Sequence, residues 1–279
     1  MLQCYFVKAT EILQMQKVCL SVACSDTSGV AVDAATGGFL ATDRERHKIR
    51  RFDQDGRYVG TFGHGQGRLP GQLDNPQEMA LSPEGRLSVC DFFNSRVQFW
   101  DEQGRYGGLL KCDSFPRCVA LGPGQLIVSF NSYVGIFSAD GQQIKSLRGG
   151  PQPCYPTGLA ANSRDDLLVG TSKGSIYLFD VQNDQADVIY EPTFPSSCIH
   201  LAVDSFDRIV VSDWAGGRLH FLDAGFQYLG SFGSWGCQPG QFKFPMSLCF
   251  DEHLRRLLVC DSCNNRVQVL TCCSEFTTF

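Results

Sequence analysis

Residues 259 to 269 read VCDSCNNRVQV, and Cys260 and Cys263 within them have the C-x-x-C spacing found in zinc sites and redox dithiols. A tetrahedral zinc site needs two more ligands. The nearby thiols, Cys272 and Cys273, are adjacent in sequence and poorly spaced to supply them. GHGQG at 63–67 has the glycine content of a phosphate-cradling loop, but Pro70 follows where that chemistry requires a helix N-terminus. RERHKIRR at 44–51 is basic enough to meet phosphates, yet alternation along a strand divides its charges between two faces. The remaining proton carriers are five histidines, His47, His64, His200, His220 and His253. Whether any of these residues meet depends on the elements that carry them.

Composition narrows those elements. The chain has 279 residues, 43% hydrophobic and 19% charged, with 29 glycines, which describes a globular, turn-rich protein long enough for a sizeable core. A net charge of -5 and a pI near 5.5 remove any global attraction to nucleic acid or acidic membranes. With such a core available, most of the 14 cysteines are read as buried thiols rather than a disulfide framework. Lys8, Glu11 and Lys17 interrupt every apolar run near the N-terminus, so neither a signal peptide nor a membrane span is expected there. A reduced, cytoplasmic protein is the expectation.

The dominant signal is an internal repeat. GFLATDRERHKI, RLSVCDFFNSRV, QLIVSFNSYVGI, DLLVGTSKGSI, RIVVSDWAGGRL and RLLVCDSCNNRV align with Asp43, Asp91, Phe130, Thr171, Asp213 and Asp261 at one position, at intervals of 39 to 48 residues. Each of the first five units has four short apolar runs separated by Gly-, Asp- and Asn-containing turns, the pattern of four antiparallel strands. Six such units predict an all-β, six-bladed β-propeller of four-stranded antiparallel blades. The sixth unit lacks its last strand, so pairing of the chain termini should close the ring, with CYFVK or VCLSVAC from the N-terminal segment as the closing strand. The expected organisation is an N-terminal segment at 1–26, the propeller at 27–270 and a tail at 271–279. In this register Cys260 takes the place of Cys90, Thr42 and Ser212, and the five histidines fall at different phases. The C-x-x-C is therefore part of a repeat unit.

The succession of Pro, short apolar strand, strand ending in Asp, Asn/Arg loop, R-V-Q-V/F and D-x-x-G resembles the NHL repeat. DFFNSRVQFWDEQG and DSCNNRVQVL carry the resemblance best, and the connectors TFGHGQGRLPGQLDNP and SFGSWGCQPGQFKFP match its inter-blade loop. Phe130 and Thr171 depart from it, with no Arg following. Asp43, Asp91, Arg96, Asp213, Arg218, Asp261 and Arg266 are read as structural, each carboxylate facing its turn and, where present, the Arg five residues on.

Loops joining second and third strands emerge on the same face as the connectors between blades. That places Arg46, His47, Phe92, Asn94, Arg117, Asn131, Tyr133, Tyr155, Lys173, Trp214, Trp235 and Asn264 on one rim, where aromatics beside Arg and Asn suit a protein hot spot or stacked single-stranded bases. The starts of the innermost strands offer Glu78, Arg117, Thr157, His200 and Met246, which is not a zinc or calcium shell. No metal, cofactor or catalytic residue is expected. The resemblance implies a non-catalytic platform of the kind found in tripartite-motif NHL proteins. Such a ring recruits substrate proteins for ubiquitin-dependent degradation, any ligase activity requiring a RING domain that these cysteine spacings lack. Its alternative is RNA binding for post-transcriptional repression, and a third reading is a propeller enzyme related to lactonases or amidating lyases.

Overall fold

The computed structural model describes residues 15–122, 124–147, 155–180, 185–190 and 199–272. Six four-stranded antiparallel sheets follow one another along the chain. Blade one comprises Val30–Asp33, Gly38–Asp43, Lys48–Phe52 and Tyr58–Phe62, and blade two Pro76–Leu81, Leu87–Asp91, Arg96–Trp100 and Tyr106–Lys111. Val119–Gly122, Gln125–Ser129, Val134–Ser138 and Gln143–Leu147 form blade three. Blade four is Pro156–Ala161, Leu167–Thr171, Ile176–Asp180 and Gln185–Tyr190; blade five is Ile199–Val203, Ile209–Asp213, Arg218–Leu222 and Tyr228–Phe232. Blade six takes Pro245–Asp251, Arg256–Asp261 and Arg266–Cys272 from the C-terminal end and Met15–Ala23 from the N-terminal end.

The closing strand is the second of the two expected runs. Leu20 pairs with Val269 and Val22 with Val267 across an antiparallel ladder, so the edge of Arg266–Cys272 is covered rather than left open. CYFVK lies outside the described residues.

The core follows from strand alternation. One face of each sheet packs on the preceding blade and the other on the next, so both faces are apolar and the second strands are buried along their length. Six apolar clusters result, one per blade interface. Ile49 and Phe62 of blade one meet Met79, Val89 and Trp100 of blade two, and Phe39 and Phe52 of blade one meet Leu258, Val267 and Val269 of blade six. Full burial of each such side chain stabilises by about 1.5–3 kcal/mol. The D-x-x-G turns sit tightly between blades. Gly104 has φ +77°, and a Cβ there would lie 2.5 Å from the Phe62 ring, so both its backbone angle and its surroundings call for glycine.

The repeated aspartates clamp the rim loops. Asp91, fully buried, accepts from Arg96 Nε at 2.6 Å, Asn94 Nδ2 at 2.9 Å, Gln98 Nε2 at 2.9 Å and the Asp74 amide at 2.6 Å. Asp261 does the same with Arg266 at 2.6 Å, Asn264 at 2.9 Å, Gln268 at 2.8 Å and the Lys243 amide at 2.7 Å. Each Arg also donates to carbonyls of the preceding connector, and each Gln accepts from a connector glycine, Gly71 or Gly240. Each clamp therefore fastens one blade to the connector entering it. Blade five differs from the expectation. Arg218 is exposed, and the residue facing Asp213 is His220, with Nε2 at 3.5 Å. An Asp–Arg pair needs the guanidinium folded back under its connector, whereas here the imidazole two residues further on fills that side of the carboxylate. In blade one Asp43 takes Arg46 at 3.0 Å, three residues on instead of five.

Candidate active site

Connectors lead directly into the innermost strands, so the first residues of those strands lie at the rim end of the central channel. The side chains gathered there include Glu78 from blade two, Cys118 from blade three, Thr157 from blade four, His200 from blade five and Ser247 from blade six, all buried. Three of them converge: a Glu78 carboxylate oxygen, Cys118 Sγ and a His200 ring nitrogen all lie within 4.8 Å of one another. Strand alternation read from sequence assigns Arg117 and Met246 to this ring. The pairing of Pro245–Asp251 with its neighbour shifts register between Pro245 and Leu248, and Ser247 is the buried residue there. In blade three the buried residue is Cys118, whose amide donates to Ser129 Oγ at 3.0 Å, while Arg117 is only half-buried at the mouth. An irregular strand start of this kind leaves no signature in apolar periodicity.

Hydrogen bonds hold the cluster on one side, while two of its atoms face each other without one. Ser247 Oγ donates to Glu78 Oε1 at 2.8 Å and in turn receives the Val30 amide at 3.4 Å. The His200 amide donates to Ser212 Oγ at 3.2 Å, and Cys118 Sγ donates to the Thr157 carbonyl at 2.8 Å. Glu78 Oε2 and His200 Nδ1 face each other at 3.7 Å, and both are buried without a hydrogen-bond partner. That separation is too long for a hydrogen bond. Burial first, and then the charge of Glu78, push the Cys118 thiol well above its ordinary range. Burial likewise raises Cys90 and Cys260, with Glu78 among the further contributors to each. These side chains offer basic lone pairs in a water-poor place.

The residues expected on the rim have different engagements. Phe92 stacks on Phe115 at 5.0 Å and meets Phe93 edge-on at 5.2 Å, and the Arg117 guanidinium lies 5.2 Å from the Phe92 ring while its Nε donates to Asn131 Oδ1 at 2.8 Å. Tyr133 stacks on the buried Phe130 at 4.6 Å. Across the ring, Phe244 sits 4.1 Å from Trp214 and 4.8 Å from Trp235, with its own backbone at φ +52°, a conformation uncommon for a bulky residue. Tyr155, Lys173, Trp235 and Arg46 are exposed. His47 Nδ1 accepts from the Asn75 amide at 3.1 Å. Asn94 and Asn264 spend their amide groups inside the loop, on Asp91 and Asp261 and on the Gly67 and Gly236 carbonyls at 2.8 Å. They hold the rim rather than present it.

The C-x-x-C divides as its register predicts. Cys260 is buried against Thr27, with Sγ and Oγ1 3.4 Å apart, and Cys263 is exposed in the loop. Cys24, Cys90, Cys112, Cys118, Cys237, Cys249, Cys260 and Cys263 are free thiols. A cleft of about 600 Å³ between blades two and three, lined by Ser82, Phe99, Leu109 and Asp140, contains none of the converging donors.

An all-β ring of six four-stranded blades with a polar cluster at one end of its channel defines a six-bladed β-propeller with a candidate channel site. No protein-family profile and no curated protein matches the chain. Among solved structures it is similar to virginiamycin B lyase from Staphylococcus aureus, with a TM-score of 0.68 and 13% identity over 90% of this chain and 98% of that one. A catalytically inactive variant of the S. aureus lyase, crystallised with quinupristin, matches with a TM-score of 0.65 and 14% identity over 88% of this chain and 80% of that one. A streptogramin B lyase matches with a TM-score of 0.66 and 14% identity over 92% and 96% of the two chains. At these identities the likeness is one of fold. The expectation of a non-catalytic ring is nevertheless corrected to this extent, that these three proteins with the same ring are lyases, so the ring itself does not speak for a non-catalytic protein. None of the three is an NHL-repeat protein, and the ubiquitin and RNA readings gain no support from them. Among the described residues no helix is long and apolar enough to cross a membrane.

Proposed function

We propose that the protein is a β-propeller enzyme of the lyase type, with its reaction centre at the rim end of the channel, on Glu78, Cys118 and His200. The observation that carries this reading is the facing pair of buried, partnerless atoms, Glu78 Oε2 and His200 Nδ1. Each unsatisfied buried polar group costs about 1–3 kcal/mol, and more when charged. Two at one spot, from two different blades, mark a place where something else is meant to bind.

Elimination suits what the cluster offers. A base takes a proton from carbon, the freed electron pair becomes the double bond, and the leaving oxygen departs with its own pair, with no water consumed. Glu78 and His200 supply lone pairs that can take the proton, Cys118 being held as a neutral thiol, and the blades around them exclude water, which strengthens every charge interaction there. The mouth above them carries Phe92, Phe115, Tyr133, Trp214 and Phe244, an apolar seat for a bulky ring-shaped substrate. Proteins of the same fold are lyases of virginiamycin B and streptogramin B, one of them crystallised with quinupristin, which supports compounds of the streptogramin B type as the first class to test.

The test incubates the purified protein with streptogramin B-type cyclic esters and simple lactones and follows products by mass spectrometry. Elimination opens the ring at unchanged mass and creates an absorbing double bond, whereas hydrolysis adds one water. Glu78→Gln and His200→Asn should each lower kcat/KM at least 100-fold. Turnover that survives both substitutions in folded protein would refute this centre.

A further inference from the structure

Among the described residues only three buried side-chain polar atoms lack a hydrogen-bond partner, and two of them, Glu78 Oε2 and His200 Nδ1, face each other. The other buried polar groups of the inner ring, Ser28, Thr157, Ser212 and Ser247, are each hydrogen-bonded. The exception is therefore local, and a thiol sits within it.

We propose that Glu78, Cys118 and His200 form a binding site for a soft divalent cation of the zinc class. Two ligand atoms about 2.0–2.1 Å from a tetrahedral zinc stand roughly 3.4 Å apart. The 3.7 Å between Glu78 Oε2 and His200 Nδ1, too long for a hydrogen bond, needs only a small approach to become such an edge. The Cys118 sulfur completes a three-donor face within the same 4.8 Å. Sulfur and imidazole beside one carboxylate select zinc or cobalt over magnesium or calcium, which take oxygen shells. Three protein ligands leave the fourth tetrahedral position open, the pattern of catalytic rather than structural zinc.

The surroundings are built to suit. Ser247 Oγ holds the other carboxylate oxygen at 2.8 Å, as the supporting shell of a ligating carboxylate does. The Cys118 thiol donates to the Thr157 carbonyl at 2.8 Å. On binding, the S–H proton passes to solvent, the sulfur lone pair forms the bond to the cation, and the thiol turns from that carbonyl, so uptake of one cation releases one proton from Cys118. None of the three side chains carries a permanent positive charge, so the cation would supply the electrophile for a leaving oxygen. With the Glu78 Oε2, Cys118 and His200 Nδ1 lone pairs on it, the base would be water on its open position rather than those atoms. As an account of catalysis this rests on the lyase reading; as a binding site it stands on the donor geometry.

The experiment treats tag-free protein with a chelator under reducing conditions, then titrates it with Zn²⁺ and separately with Co²⁺. Bound metal is counted by elemental analysis and thiolate ligation read from the near-ultraviolet thiolate-to-cobalt band. One cation per chain is expected, with the band present in the wild type and in Cys263→Ser, and absent in Cys118→Ser. Glu78→Gln and His200→Asn should weaken binding 10- to 100-fold. If these variants fail to fold, a zinc-dependent rise in the wild-type melting temperature and Ser247→Ala, with a weakened but measurable affinity, carry the test. No saturable one-to-one binding, or a cobalt band that persists in folded Cys118→Ser, overturns the proposal. Turnover by fully chelated protein would overturn the cation's catalytic role and leave the lyase reading standing. A bound cation without turnover of any substrate would do the reverse.

Discussion

Replacing Asp91 by Ala tests whether the repeated carboxylates hold the ring together. Asp91 is fully buried, and its removal leaves Arg96 Nε, Gln98 Nε2, Asn94 Nδ2 and the Asp74 amide without the acceptor they share. Breaking a buried pair from one side costs about 3–5 kcal/mol. Arg96 retains the Arg68, Leu69 and Gln72 carbonyls and Gln98 retains Gln72, which places the expected loss toward the lower end, near 3 kcal/mol. At about 2–4 °C per kcal/mol for a domain of this size, the melting temperature should fall by roughly 10 °C. Blade five provides the internal control. Asp213 faces a histidine at 3.5 Å, accepts the Gly216 amide at 3.0 Å and binds no arginine, so Asp213→Ala should cost about 1–2 kcal/mol, the range of ordinary buried hydrogen bonds. Denaturant unfolding of both variants, with Asp91→Asn as a shape-conserving companion, measures the difference. Equal losses for Asp91→Ala and Asp213→Ala would refute the claim that the buried arginine sets the cost.

Two further predictions concern the thiols and the mouth. Burial raises Cys24 and Cys112 to about 12 and Cys249 to about 11, above the 9.0 of an unfolded thiol. Their neutral forms are favoured in the fold, so the associated stability is fully present below pH 9 and is lost as pH rises toward 11–12. The triple Cys→Ser variant at these positions should show a shallower alkaline decline in denaturant midpoint than the wild type. At the mouth, Phe92→Ala, Tyr133→Ala and Trp214→Ala should raise KM for cyclic esters several-fold with little change in kcat, because they seat substrate above the cluster and do not reach it; steady-state kinetics on the substrate turned over checks this.

The blade architecture was legible because it is written in local periodicities. Alternating apolar runs, D-x-x-G turns and an Asp at a constant phase specify four strands per unit, and those units match the sheets observed. The Asp–Arg clamps at Asp91 and Asp261 were legible for the same reason, since partners five residues apart flank one turn. The exchange of Arg218 for His220 beside Asp213 was not, because both follow the aspartate closely and only packing chooses between them.

The candidate site was legible only in part, since the repeat register places Glu78, Thr157 and His200 at the starts of inner strands but puts Arg117 and Met246 where Cys118 and Ser247 are buried. Glu78, Cys118 and His200 are 40 and 82 residues apart in order and belong to three blades. Their phases within the repeat differ by a residue or so, and the irregular starts of the inner strands decide which side chains turn inward. The C-x-x-C that draws the eye in sequence lies on one loop, with one thiol in the core and the other in solvent. By itself the sequence determined six blades, their turns and a closing strand from the N-terminal segment, because strand alternation and tight-turn chemistry act over a few residues. Only the tertiary structure decided that Cys118 rather than Arg117 turns in beside Glu78 and His200 and that the three donors meet, because the start of each inner strand and the closing of the ring are set by packing between blades rather than by any local pattern.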